Sequence, residues 1–99
     1  MKPILIIEDE KDIVDLVTYH LKQSGDSAII ALDGHSGLES ARKERPSLII
    51  LDLMLPGMDG NDICRALKSN PLTQSIPILM LTAKAEEMDR LIEFELGAD

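Results

Sequence analysis

Short apolar runs alternate with helical spacing along the whole chain. Ile4 to Ile7 is an unbroken aliphatic run, after which Ile13, Leu16, Val17 and Leu21 recur at helical intervals. Gly25 follows as a stop, and Ala28 to Leu32 forms a second run. A weaker helical pattern with Leu38 and Ala41 ends before Pro46. Leu48 to Leu51 is the third run, leading into the turn signal Pro56-Gly57-Met58-Asp59-Gly60. Ile63, Ala66 and Leu67 mark a third helix, which Asn70-Pro71 breaks. Ile76 to Leu81, interrupted by Pro77, is the fourth run. Met88, Leu91, Ile92 and Leu96 predict a fourth helix capped by Gly97.

This β-α alternation predicts an α/β fold with a parallel sheet and helices on its faces. The apolar runs do not alternate with polar residues, as expected of strands covered on both sides. No linker, low-complexity segment or sequence repeat interrupts the pattern.

Polar residues follow three of the runs directly: Glu8 and Asp9, then Asp52, then Thr82. Strands of a parallel sheet all point one way, so these residues share the carboxyl edge, where open α/β sheets bind ligands. If the first and third strands are neighbours, Glu8, Asp9 and Asp52 converge. Three carboxylates in one cleft repel each other unless a cation joins them. Mg²⁺ suits such a site, because it prefers hard oxygen donors and combines a few carboxylates with water and phosphate oxygens. A carboxylate can also attack phosphorus and form an aspartyl phosphate, and Thr82 offers a hydroxyl to a phosphoryl oxygen. Blander roles compete. Asp9 also suits the N-cap of the first helix. Glu10, Asp12 and Asp59 read as solvated or turn acids, His20 and His35 as surface or packing residues, and Met54, Met58, Met80 and Met88 as packing.

With 99 residues the chain is one domain, and with one Tyr, one Phe and no Trp its core must be aliphatic. The net charge of −8 repels phosphate backbones, which speaks against direct nucleic-acid binding. Cys64 is the lone cysteine, so no internal disulfide forms. The first apolar run is too short for a signal peptide or a membrane span. A cytoplasmic location with no membrane partner is expected.

The residues now carry a resemblance. Ile4 to Glu10 resembles the opening strand and acidic pair of response-regulator receiver domains. Leu51 to Gly60 is similar to their phosphoacceptor segment, Pro77 to Ala83 to their fourth strand, and Glu95 to Asp99 to the stretch before their fifth strand. The resemblance implies the doubly wound, flavodoxin-like receiver fold with strand order 2-1-3-4-5. It implies that Asp52 accepts a phosphoryl group, that Glu8, Asp9, Asp52 and the backbone carbonyl of Met54 hold Mg²⁺, that Thr82 is the switch hydroxyl, and that the small Ala83 leaves room at the site. It implies a turn shaped by Pro56-Gly57 and a close backbone approach at Gly60. A sensor histidine kinase would be the donor, and an output domain or partner protein would read the result.

The family continues past Asp99 into a fifth strand, a Lys that pairs with the acceptor, and a fifth helix. The expectation is therefore a C-terminally truncated receiver over residues 1–99, of order 2-1-3-4. Its fourth strand's edge would be exposed, and it could form a homodimer. The alternative is a receiver-like interaction module that is not phosphorylated in this form, a reading the absent Lys favours and the intact Asp9, Asp52 and Thr82 oppose. A phosphatase of the haloacid dehalogenase style would need a second Asp where Met54 stands, and a flavin carrier would need a Ser/Thr/Gly-rich loop after the first strand.

Overall fold

The computed structural model describes residues 2–53, 55, 57–83 and 90–93, the side chains of 82, 83 and 90–93 excepted. The elements are β1 (Ile4–Ile7), α1 (Lys11–Gln23), β2 (Ala28–Ala31), α2 (Gly34–Glu44), β3 (Leu48–Asp52), α3 (Gly60–Ser69), β4 (Ile78–Ala83) and β5 (Arg90–Glu93). They build one sheet of order β2-β1-β3-β4-β5. The pairs β1–β2, β1–β3 and β3–β4 are parallel. The parallel order 2-1-3-4 is the one expected.

β1 to β4 are short because their apolar runs are short, and the central strands β1 and β3 carry unbroken aliphatic runs because helices cover both their faces. Leu5, Ile7, Ile49 and Leu51 point to one side, where they pack with Ala41 of α2 and with Ile63 and Leu67 of α3. Ile4, Ile6, Ile50 and Leu81 point to the other, against Ile13, Val17 and Leu21 of α1. The period-2 alternation of a strand thus splits one apolar run between two half-cores. Burying each such side chain stabilises the fold by about 1.5–3 kcal/mol. Cys64 is buried in the first of these cores. Leu16, placed on the apolar stripe by its spacing, is instead 55% exposed.

The caps set where the helices begin. Asp33 accepts a hydrogen bond from the Ser36 N–H at 2.8 Å and opens α2. Asp59 accepts from the Asn61 N–H at 2.8 Å and opens α3. In α3–β4 the buried Thr73 hydroxyl donates to the Leu67 carbonyl at 2.6 Å, satisfying the end of α3.

Two expectations are corrected at the fourth strand. Arg90–Glu93 is a strand, not part of a helix, and it pairs antiparallel with β4, Leu81 opposite Ile92 and Thr82 opposite Leu91. The β4 edge is therefore covered rather than exposed. Its row of unsatisfied N–H and C=O groups is a template for any nearby extended segment. Leu91-Ile92 is short and apolar enough to serve as a strand there. The other residues of the expected helix, Met88, Leu96 and Gly97, lie outside the described residues.

A candidate phosphoacceptor and metal site

The site forms at the carboxyl edge of the sheet because β1 and β3 are neighbours in register. Ile7 pairs with Leu51, so the next residues, Glu8 and Asp52, follow side by side. The Glu8 N–H still donates to the Ala31 carbonyl at 3.0 Å, which ties the strand end to β2. One carboxylate oxygen each from Glu8, Asp9 and Asp52 lies within 4.8 Å of the others. Glu8 and Asp52 are buried, at 0% and 1% exposure, while Asp9 faces solvent.

Local structure aims these groups. The Glu10 N–H donates to Glu8 Oε2 at 3.0 Å, an internal contact that holds the buried carboxylate. Glu10, not Asp9, occupies the N-cap position of α1, and its side chain makes no cap bond. The capping role considered for Asp9 is thus not the one it plays; Asp9 joins the carboxylate group instead. Glu10's part was not legible in the sequence, because the bond comes from its backbone and carries no side-chain signature.

Asp52 ends β3, and the Leu53 N–H behind it donates to the Leu81 carbonyl at 3.2 Å. Gly60 then comes back against this segment: an ideal Cβ there would stand 2.6 Å from Leu53 Cα and 3.2 Å from the Asp52 carbonyl oxygen. Only glycine lets α3 start so close to the strand end. Gly57 adopts φ +79°, the left-handed value the turn requires. Across the sheet Asp52 pairs with Leu81, so the Thr82 backbone lies one residue beyond the acid's partner. The side chains of Thr82 and Ala83, and Met54 and Pro56 entirely, lie outside the described residues.

The donor set is three carboxylates and so entirely hard oxygen. It fits a small divalent cation of the Mg²⁺ type, whose charge would offset their mutual repulsion. His20 and His35 are exposed on α1 and α2 and contribute nothing to the cluster. Among the described residues, no helix is long and apolar enough to cross a membrane.

Known proteins share both the sequence and the fold. The family model for the response regulator receiver domain matches residues 4–99. The alkaline phosphatase synthesis transcriptional regulatory protein PhoP of Bacillus subtilis (strain 168) is 49% identical over 98 residues, covering 99% of this chain and 40% of its own length. The chain therefore spans less than half of that relative. The N-terminal domain of a response regulator receiver protein from Methanoculleus marisnigri JR1 superposes with a TM-score of 0.80 at 38% identity, covering 85% of this chain and 68% of that one. The Mn²⁺-bound form of response regulator Rcp1 superposes with a TM-score of 0.76 at 34% identity, covering 88% and 69%. Sequence, sheet order and the acidic edge agree, and the chain belongs to the response regulator receiver domains of two-component signalling.

Proposed function

We propose that this domain accepts a phosphoryl group on Asp52 from a sensor histidine kinase in the cytoplasm. The observation that carries the reading is the cluster itself: a buried Asp at the end of β3 with the Glu8 and Asp9 carboxylate oxygens within 4.8 Å. An Asp52 oxygen attacks phosphorus, the bond from phosphorus to the donor nitrogen breaks, and an acyl phosphate forms on the Asp. Glu8, Asp9, Asp52 and the Met54 carbonyl would hold Mg²⁺, which supplies charge neutralisation for the phosphoryl oxygens. The Mn²⁺ in the similar Rcp1 structure supports a divalent ion at such a site. The Thr82 hydroxyl binds the phosphoryl group and moves with it, and Ala83 leaves space for that movement. β4 then transmits the change to an output domain or partner, shifting the balance between two surface conformations. The resemblance to PhoP makes transcription the output that fits best, exerted by a part of the protein other than residues 1–99. In these roles the domain is a signalling module and not a turnover enzyme.

The test is intact-mass measurement after incubation with Mg²⁺ and acetyl phosphate, beside an Asp52→Asn control. A phosphoryl-sized mass gain in the parent chain alone is the expected result. A gain in both chains would move the acceptor elsewhere, and none in either would set the reading aside for this chain.

A further inference from the structure

The opposite end of the sheet carries a second concave feature. A cleft of about 380 Å³ opens where the chain enters three strands: Lys2 lies before β1, Ser47 before β3, and Pro77 before β4. Its remaining walls include Arg45 from the end of α2, and Leu72 and Ser75 from the α3–β4 connection.

The charge of this cleft is opposite to that of the molecule. The chain has 18 acidic and 10 basic residues, yet none of the residues lining the cleft is acidic. Lys2 and Arg45 are exposed, and among the described residues neither enters an ion pair. Two uncompensated cations therefore face a shared hollow that is otherwise apolar and hydroxylic. Arg45 also adopts φ 47°, a left-handed conformation that a non-glycine residue rarely takes. A glycine would end α2 with less strain, but it would remove the guanidinium from the rim.

The walls are held before any ligand arrives. The Ser47 N–H donates to the Pro3 carbonyl at 2.9 Å, joining the entries to β1 and β3. The Lys68 ammonium donates to the carbonyls of Gln74 and Ile76 at 3.2 Å each, fixing the connection that presents Ser75. Pro46, Pro71 and Pro77 restrict φ around the hollow. The volume lies near the lower end for small-molecule sites, which run from about 300 to 1,000 Å³. A preformed pocket of this size suits one ring or short chain carrying one charged head.

We propose that this cleft binds a small organic anion, a carboxylate or phosphate monoester on a compact apolar body. Lys2 and Arg45 meet the charged head, the Ser75 hydroxyl donates to it, and Leu72 and the prolines pack on the apolar part, while the Ser47 hydroxyl donates to the Lys2 and Pro3 carbonyls at 3.4 Å and braces the wall. The site is independent of the carboxylate cluster, which lies at the other edge of the sheet. The surrounding negative surface weakens anion binding elsewhere, so this cleft is where such a ligand collects.

Amide chemical shifts of the ¹⁵N-labelled chain, followed at low salt, test the proposal with benzoate, phenyl phosphate and neutral benzyl alcohol. Saturable shifts at Lys2, Arg45, Ser47 and Ser75 are expected with at least one anion, and the stronger of the two identifies the head group. Arg45→Gly, which the left-handed backbone accommodates, should weaken that binding about tenfold, as loss of a charge-assisted contact does. Lys2→Ala should weaken it less, and Asp52→Asn should leave it unchanged. Shifts of equal strength with benzyl alcohol, undiminished binding in Arg45→Gly, or no saturation by either anion in the millimolar range would each overturn it.

Discussion

Gly60 and Leu53 stand closer than any side chain would permit: a Cβ on the glycine would lie 2.6 Å from the Leu53 Cα. The Gly60 N–H also points at the Leu53 carbonyl, at 3.4 Å. Leu53 directly follows Asp52, so this contact fixes the position of the acid from behind. Alanine is the better helix former by about 1 kcal/mol, but here its methyl group meets backbone rather than a flexible side-chain end. Gly60→Ala is therefore expected to destabilise the domain by about 1–3 kcal/mol, the usual cost of overpacking. Urea denaturation measures it. The same shift of Leu53 should weaken Mg²⁺ binding, and equal Mg²⁺ affinity in the two proteins would show that Gly60 serves packing alone.

Asp52→Asn replaces one of three carboxylates whose oxygens lie within 4.8 Å of one another. Without metal the variant should be more stable than the parent by roughly 1–2 kcal/mol. If the cluster holds Mg²⁺ in the folded state as proposed, added Mg²⁺ should stabilise the parent, and the variant much less. The gap between them should thus shrink as Mg²⁺ rises. Thermal melts in EDTA and across a Mg²⁺ series show whether it does; parallel responses would remove Asp52 from the metal site.

The cap of α2 gives a pH dependence of defined sign. The Ser36 backbone N–H holds the Asp33 carboxyl below its ordinary value of 3.8. A depressed acid contributes stability in full above its unfolded value and loses it as pH falls through the folded one. Wild type should exceed Asp33→Ala in urea midpoint at neutral pH, and the two curves should converge below pH 3.8. A difference that stayed constant into strong acid would mean that the charge plays no part in the cap.

Arg45→Gly should make the domain more stable. The left-handed conformation costs an L-residue about 1–2 kcal/mol, of which the greater freedom of unfolded glycine returns roughly 0.4–1 kcal/mol. A net gain of about 0.5–1 kcal/mol is expected in urea denaturation. Loss of stability instead would mean that the guanidinium supports the fold directly.

Much of this architecture was legible from spacing alone. The four apolar runs became the four parallel strands, of which β1 and β3 at the centre bury their aliphatic residues on both faces. Glu8, Asp9 and Asp52 could be placed together once strand adjacency was assumed, since all follow runs directly. What remained hidden depended on partners distant in sequence. Leu91 and Ile92 fit helical spacing, but the open β4 edge offers hydrogen bonds that periodicity does not register. Leu16 fits the same α1 stripe as Val17, yet lies beyond the reach of the sheet. The cleft of Lys2, Arg45 and Ser75 left no motif, because its residues come from three separate entries into strands.

Placing β2 outside β1, and not between β1 and β3, has a consequence for the order of events in synthesis. Glu8 and Asp9 leave the ribosome well before Asp52, separated from it by the whole α1–β2–α2 excursion. Two of the three carboxylates are thus made early, and the cluster stays incomplete until β3 slots in beside β1. A nascent chain that stops short of β3 offers a divalent ion only two of the three acids and lacks Asp52. On the proposed role of Asp52, competence to receive the signal would arrive only with the closing of the sheet.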